Sequence, residues 1–194
     1  MKQPTVISTF AGAGGSSYGY HLAGFRELLA IDYEKNACDA LRANYPDTLI
    51  WHRDITQVTA EEILEATGLE KGQLEILDGS PPCQSFSLAN AFRSAEDDRS
   101  DLTFAQIKLI EGLQPRVFVL ENVPGMVTGK MRPKFYAIMK ALKATGYNVK
   151  AKIMNAMYYG VPQSRERVII IGVREDLGIE PSFPEPSTDN IRTF

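Results

Sequence analysis

Cysteine and histidine are scarce in this sequence, with two of each among 194 residues. Cys38 and Cys83 lie far apart, and neither belongs to a cluster of cysteines and histidines with metal-binding spacing. The sequence therefore indicates neither a disulfide framework nor a zinc site. We expect reduced thiols and no bound metal.

Long apolar runs are also missing. No stretch approaches the roughly 20 apolar residues of a membrane span, and Met1-Lys2-Gln3-Pro4 leads into a strand-like segment instead of a signal peptide. Hydrophobic residues make up 44% of the chain and charged residues 23%, which is typical of soluble globular proteins. We expect a single main domain in the cytoplasm, or at the nucleoid of a bacterium, with no membrane partner.

Acidic residues are absent from one part of the chain. Residues 27–78 include twelve acidic and four basic side chains, whereas residues 122–165 include eight basic side chains and no acidic one. Such an asymmetry occurs on solvated helix faces and on surfaces that bind polyanions. Charge alone does not choose between the two.

Short apolar segments alternate with helical patterns, which predicts a mostly parallel sheet covered on both faces, a Rossmann-like three-layer sandwich of the α/β class. The predicted strands cover residues 5–10, 27–32, 48–53, 74–78, 117–120, 148–154 and 168–173. Because no helical pattern joins the last two strands, we expect an antiparallel hairpin at one edge of the sheet. Residues 87–100 are polar and aperiodic and are predicted to form a long loop. Residues 176–194 are rich in proline and are predicted to form a linker that follows a domain of residues 1–175.

The ends of the first three predicted strands carry polar or glycine-rich segments. Ala11-Gly12-Ala13-Gly14-Gly15 follows the first strand, and Asp32 and Asp54 end the next two. Each acid alone is as well explained as a helix cap, but the three strand ends together favour an adenosine-containing ligand. S-adenosylmethionine is preferred, because Ser17 breaks the dinucleotide fingerprint and no phosphate-binding lysine motif is present.

Cys83 lies on a turn stiffened by Pro81 and Pro82, directly after the strand 74–78. Ligands of open α/β sheets bind at this edge. Taken by itself, the segment is equally compatible with a buried, inert cysteine.

Four segments, in this order, closely resemble motifs of the cytosine-5 DNA methyltransferases. They are Phe10-Ala11-Gly12-Ala13-Gly14-Gly15, Ser80-Pro81-Pro82-Cys83-Gln84-Ser85-Phe86-Ser87, Glu121-Asn122-Val123 and Gln163-Ser164-Arg165-Glu166-Arg167. The likeness extends over residues 4–175 and implies the class I S-adenosylmethionine-dependent methyltransferase fold. It also implies DNA methylation, typically within restriction-modification, with S-adenosylhomocysteine as product.

The resemblance implies a role for each residue of the chemical site. Cys83 is expected to add as a thiolate to carbon 6 of a flipped-out cytosine, which makes carbon 5 nucleophilic. Glu121 is expected at ring nitrogen 3, with Asn122 holding the local turn. Arg165 is expected at the carbonyl oxygen of the base, and Arg167 beside Glu121 and the cysteine loop.

The resemblance also assigns binding residues. The expected cofactor residues are Phe10, Ala11, Gly12, Ala13, Gly14, Gly15, Asp32, Tyr33, Asp54, Ile55, Pro82 and Leu102. Tyr33 stands where an aromatic side chain packs on adenine. The expected contacts to double-stranded DNA lie in the loop after the cysteine, at Gln84, Ser85, Ser87 and Arg99.

The family's target-recognition region and last two motifs would follow where this sequence ends, so the proline-rich linker is expected to lead toward that region. The leading expectation is the catalytic domain of a DNA methyltransferase, with this sequence as a fragment of the enzyme, and three alternatives stay open beside it. The chain is compatible with one subunit of a split enzyme, with a catalytically silent cofactor- or DNA-binding module, and with a tRNA cytosine-5 methyltransferase.

Overall fold

Seven strands form one sheet in the computed structural model, which describes residues 3–82, 102–128 and 131–187. The strands are β1 (Thr5–Thr9), β2 (Arg26–Asp32), β3 (Leu49–His52), β4 (Ile76–Gly79), β5 (Val117–Asn122), β6 (Tyr147–Asn155) and β7 (Glu166–Arg174). The helices are α1 (Gly15–Leu22), α2 (Lys35–Asn44), α3 (Ala60–Thr67), α4 (Leu102–Leu113) and α5 (Arg132–Ala144). Short 3₁₀ turns cover Ile55–Gln57, Pro124–Val127, Ala156–Tyr159 and Glu175–Leu177.

The strand order is β3-β2-β1-β4-β5-β7-β6. Neighbouring strands from β3 to β5 are parallel, and β7 is antiparallel to both β5 and β6. After β1 the chain first adds strands on one side and then returns to place β4 on the other. The carboxyl ends of β1 and β4 therefore border the crevice in which ligands of such sheets bind.

Apolar side chains cover both faces of the sheet. One core cluster includes Ile63 of α3, Ile110 of α4 and Ile138 of α5, while a second joins Ala30 of β2 to Leu41 of α2. The expected α/β sandwich with a mostly parallel sheet is thus confirmed.

Most predicted elements are present with shifted ends. Helix α4 begins and ends as predicted, and α3 has the predicted capping box, in which Thr59 and Glu62 each bond to the other's backbone N–H. Strand β5 runs two residues beyond the prediction because Glu121 and Asn122 still pair with β7. The antiparallel hairpin lies at the sheet edge as expected, although its second strand, β7, lies inside and β6 forms the edge.

The described part of the tail folds back onto β6 and the turn that follows it. Its contacts are Lys150 Nζ to Glu180 Oε2 at 3.0 Å, Lys152 Nζ over the Phe183 ring at 6.0 Å, Tyr159 OH to Pro184 O at 3.2 Å, and Ser187 N to Tyr158 O at 3.0 Å. The division into residues 1–175 and a linker of residues 176–194 stays a prediction. The predicted loop of residues 87–100 lies outside the described residues. Among the described helices, none has the length and apolar character required to cross a membrane.

Helix α1 is attached to the sheet by a layer of polar side chains that the sequence did not suggest. Tyr20 OH donates to Asp78 Oδ1 at 3.1 Å, and Asp78 is only 9% exposed. Ser8 and Ser17 both donate to Glu27 Oε1. Burial raises the pKa of Asp78 to about 6 and also raises the pKa of Glu27. Helix α1 is therefore attached to the sheet through two carboxyl groups, of the buried Asp78 and the half-buried Glu27.

Gly172 of β7 has no room for a side chain. A Cβ there would lie 2.2 Å from the ring of Phe118, which is fully buried and packs against Tyr147 with ring centroids 5.1 Å apart. We predict that Gly172→Ala lowers the free energy of unfolding, measured with urea, by about 1–3 kcal/mol. Gly19→Ala on α1 is the control, because a Cβ there would meet nothing within 4 Å. Equal destabilisation by both changes would contradict this account.

The burial of Asp78 leads to a prediction about how the free energy of unfolding depends on pH. Its folded-state pKa of about 6 lies above the ordinary 3.8, so its contribution to stability is fully present below about pH 4 and is lost as the pH rises through about 6. We predict that Asp78→Asn removes this loss and gains up to about 3 kcal/mol relative to the parent between about pH 4 and pH 7 in urea titrations.

Asp39 on α2 supplies a control of opposite sign. Lys35 bonds to this exposed carboxylate and lowers its pKa, so Asp39→Asn should lose stability relative to the parent as the pH rises. If the free energies of unfolding of Asp78→Asn and of the parent changed in parallel between about pH 4 and pH 7, the effect of burial on Asp78 would be refuted.

Candidate active site

A cavity of about 410 Å³ lies at the carboxyl ends of β1, β2 and β3. Seven of the twelve expected cofactor residues line it, namely Phe10, Asp32, Tyr33, Asp54, Ile55, Pro82 and Leu102. Ile31, Glu34 and Arg53 also line it and were not foreseen, although each is the sequence neighbour of a predicted residue. The cavity is therefore built from strand ends, the turn after β4 and the start of α4.

The other five expected cofactor residues form the turn Ala11-Gly12-Ala13-Gly14-Gly15 between β1 and α1. Gly14 has φ +91°, and a Cβ there would lie 2.6 Å from the ring of Tyr45. The Tyr45 hydroxyl in turn donates to Gly14 O at 3.1 Å. Because both the backbone conformation and the close approach require glycine, this turn has a defined position beside the cavity.

Asp32 and Asp54 act as backbone caps and also line the cavity. Asp32 Oδ2 accepts from Gly12 N and Oδ1 from Glu34 N, each at 2.8 Å. Asp54 Oδ1 accepts from Thr56 N at 2.9 Å and from the Thr56 hydroxyl at 2.8 Å. A carboxylate offers about four acceptor positions, so capping leaves each free to accept further hydrogen bonds from a ligand.

Tyr33 is a large aromatic residue at the mouth of this cavity. It is 69% exposed, and its carbonyl oxygen lies 2.8 Å from His52 Nε2. An exposed ring beside a cavity offers a flat apolar face for stacking.

The turn after β4 is held from two sides. Asn122 at the end of β5 is 5% exposed and donates from Nδ2 to Pro81 O at 2.9 Å, while its Oδ1 accepts from Val123 N at 2.8 Å. Ser80 Oγ donates to Phe10 O at 3.2 Å. These bonds connect the ends of β5, β4 and β1 at one point of the sheet edge.

Glu121 precedes Asn122 and forms an ion pair with Arg167 of β7. Arg167 Nε lies 2.6 Å from Glu121 Oε1, with the side chains 25% and 36% exposed. The pair forms because β7 lies next to β5, with Glu121 opposite Ile169. The structure thus brings Arg167 to Glu121, as expected. Arg165 bonds to the described residues through its backbone. Its N–H donates to Asn155 Oδ1 at 3.1 Å.

The remaining expected residues, Cys83, Gln84, Ser85, Ser87 and Arg99, lie outside the described residues. Cys83 directly follows Pro82, which lines the cavity. Within residues 3–82, 102–128 and 131–187, no group of three or more metal-binding side chains occurs.

The known proteins to which this chain is similar include methyltransferases. The family model for C-5 cytosine-specific DNA methylases matches residues 4–193. The Type II methyltransferase M.AquIA of Picosynechococcus is 40% identical over 190 residues, which cover 94% of this chain and 76% of that protein. M1.HphI of Haemophilus parahaemolyticus is 39% identical, with coverage of 97% and 50%. M.XorII of Xanthomonas oryzae is 36% identical, with coverage of 96% and 44%. The chain thus spans about half the length of the last two relatives.

Solved structures show the same fold. A DNA modification methyltransferase encoded within an E. coli prophage superposes with a TM-score of 0.78 at 28% identity, over 96% of this chain and 53% of that one. The S. pombe Dnmt2 methyltransferase superposes with a TM-score of 0.70 over 97% of this chain and 53% of that one, at 24% identity, and supports the fold alone. The family match over residues 4–193 and the 40% identity to M.AquIA together show that this chain belongs to the C-5 cytosine-specific DNA methylase family.

Proposed function

We propose that this chain carries the catalytic half of an enzyme that transfers a methyl group from S-adenosylmethionine to carbon 5 of a flipped-out cytosine in DNA. One observation carries the proposal: the Asn122 to Pro81 hydrogen bond joins the Glu121–Arg167 pair to the turn whose next residue, Pro82, lines the cavity. A carboxylate, an arginine and a cavity for an adenosine-containing ligand therefore meet at the turn that leads into Cys83.

The cavity suits the adenosine part of S-adenosylmethionine. Asp32 has acceptor positions for the ribose hydroxyls, Asp54 for the adenine amino group, and Tyr33 offers a face for the adenine ring. The expected turn of residues 11–15 would approach the remainder of the ligand through its backbone. When bound, the cofactor supplies an electrophilic methyl group.

Carbon 5 of cytosine needs activation before it attacks a methyl group. We assign this to Cys83, whose thiolate forms a bond to carbon 6 and drives electron density toward carbon 5 and ring nitrogen 3. Glu121 donates a proton or a hydrogen bond to ring nitrogen 3. After carbon 5 gains the methyl group, a water molecule takes the carbon-5 proton, the electron pair of that C–H bond forms the double bond between carbons 5 and 6, and the carbon–sulfur bond breaks to release the thiolate.

The ion pair between Glu121 and Arg167 supports a different division of roles between the two arginines. Ring nitrogen 3 and the carbonyl oxygen of cytosine are on adjacent ring positions, so an arginine that contacts Glu121 is also placed to reach that oxygen. Arg167 makes this contact at 2.6 Å. We therefore favour Arg167 over Arg165 for the contact to the carbonyl oxygen, a role that the family resemblance implied for Arg165.

A cytosine can reach this edge only after it leaves the double helix, at a cost of roughly a few kcal/mol. We propose that the residues after Cys83, including Gln84, Ser85, Ser87 and Arg99, contact the DNA around the extruded base. Sequence recognition is assigned to a region after residue 175 or to a second subunit.

Covalent trapping tests the nucleophile. In DNA containing 5-fluorocytosine, fluorine replaces the proton that must leave, so the thioether to carbon 6 should persist. We predict a cross-link between the protein and this DNA in the presence of S-adenosylmethionine, supplied where needed with the recognition region, and its loss in Cys83→Ala. Cys38→Ala, which changes a fully buried cysteine of α2, should still cross-link. A cross-link in Cys83→Ala would refute the assignment.

A pair of variants tests the arginines. We predict that Arg167→Ala lowers the rate of methyl transfer to DNA by about 100-fold or more, because charge developing on the base loses its partner. Arg165→Ala should lower it by less than about tenfold. The measurement is single-turnover incorporation of labelled methyl groups. If Arg165→Ala lowered the rate of methyl transfer more than Arg167→Ala does, Arg165 would keep the role at the carbonyl oxygen and our preference for Arg167 would be wrong.

A further inference from the structure

The side chain of Asn155 lies at the centre of the turn between β6 and β7. Its Oδ1 accepts from Met157 N at 3.2 Å and from Arg165 N at 3.1 Å, and its Nδ2 donates to Ser164 Oγ at 3.1 Å. One amide thus bonds to both ends of the turn, across ten residues of chain.

These bonds exceed what a helix cap requires. Asn155 is the cap of the 3₁₀ turn Ala156–Tyr159, for which the bond from Met157 N suffices. The bonds to Ser164 and Arg165 bring the far end of the turn back to β6, where Ala156 N also donates to Arg165 O at 2.9 Å. The start of β7 is therefore held by the Asn155 side chain as well as by strand pairing.

Arg167 depends on this attachment because it is the second residue of β7 (Glu166–Arg174). Its ion pair with Glu121 is partly exposed, and partly exposed ion pairs contribute little free energy by themselves. The position of the guanidinium therefore follows the backbone at residues 165–167. Asn155 is the side chain that holds this backbone from the opposite strand, in register with Glu166.

We propose that Asn155 is a positioning residue for methyl transfer: it fixes the start of β7 so that Arg167 stays against Glu121. Asn155 touches no reacting atom in this account and acts only through Arg167. The inference rests on the proposed function, because it gives Asn155 a role in that reaction.

The tail supports the same turn from its outer side. Tyr159 OH donates to Pro184 O at 3.2 Å, and Ser187 N donates to Tyr158 O at 3.0 Å. The turn is thus bonded to β6 through Asn155 and to the tail through Tyr158 and Tyr159. Asn155 bonds directly to the backbone of Arg165, two residues before Arg167, whereas the tail bonds to Tyr158 and Tyr159. Asn155 is therefore the better residue to test.

Three variants of the full chain separate positioning from simple loss of a polar group. Asn155→Leu removes all three bonds, whereas Asn155→Asp keeps two acceptors and can accept from the Ser164 hydroxyl. Asn148→Leu makes the same change at the other, half-buried end of β6. We expect kcat for DNA methylation to fall about tenfold or more in Asn155→Leu, to recover in Asn155→Asp to within about threefold, and to stay within about twofold in Asn148→Leu. The affinity for S-adenosylmethionine should not change, since the cavity lies at β1, β2 and β3.

A double variant tests whether Asn155 acts through Arg167. If it does, adding Asn155→Leu to Arg167→Ala should lower the rate by no more than about twofold beyond Arg167→Ala alone. If the two changes instead lowered the rate independently, so that their effects multiplied, the inference would be overturned. An Asn155→Leu protein with the parent rate would also overturn it.

Should Asn155→Leu fail to fold, Ser164→Ala is the alternative variant, because it removes only the Nδ2 bond. It should still lower kcat, about threefold, and an unchanged kcat would count against the role of Asn155. A parent protein that transfers no methyl group to DNA overturns the proposed function itself.

Discussion

The hydrogen bond from Asn122 Nδ2 to Pro81 O is the contact on which the site depends. Pro81 and Pro82 have no N–H groups, so the turn after β4 lacks the backbone donors that would attach it to the sheet. A buried amide at the end of β5 makes that attachment instead, at 2.9 Å. Because Glu121 directly precedes Asn122, and Cys83 directly follows Pro82 in the sequence, this one side chain connects the two segments to which the proposed acid and nucleophile belong.

The second constraint is the insertion of β7 between β5 and β6. A parallel neighbour would present its carboxyl end at this edge, but the antiparallel β7 presents its first residues there. This brings the arginine-containing segment of residues 163–167 next to Glu121. The edge strand β6 then holds the start of β7 through Asn155. Glu121, Arg167 and Asn155 therefore come from three adjacent strands, while the cavity at β1, β2 and β3 lies on the other side of the β4 turn.

Much of this arrangement could be predicted from the sequence, because it resides in short segments at strand ends. The glycine-rich turn, Asp32 and Asp54, and the Glu121-Asn122 pair all occupy the edge that alternating strands and helices imply. Contacts between distant segments could not be predicted in the same way, and the contact between Arg167 and Glu121 was expected only from the family resemblance. The place of β7, and with it the choice between Arg165 and Arg167, depends on strand pairing that local patterns do not encode. Asp78 is buried and Glu27 is half-buried in strands that the sequence pattern identified by their apolar residues, so that pattern gave no sign of the polar layer under α1.

In the proposed reaction, a carboxylate, an arginine and a thiol act on one cytosine, and carbon 5 is the atom that receives the methyl group. The most direct measurement is mass spectrometry of nucleosides from DNA treated with the protein, its recognition region and S-adenosylmethionine labelled in the methyl group. The account predicts labelled 5-methyldeoxycytidine. Label on an exocyclic amino group of cytosine or adenine, or label found only in tRNA when both substrates are offered, would contradict it.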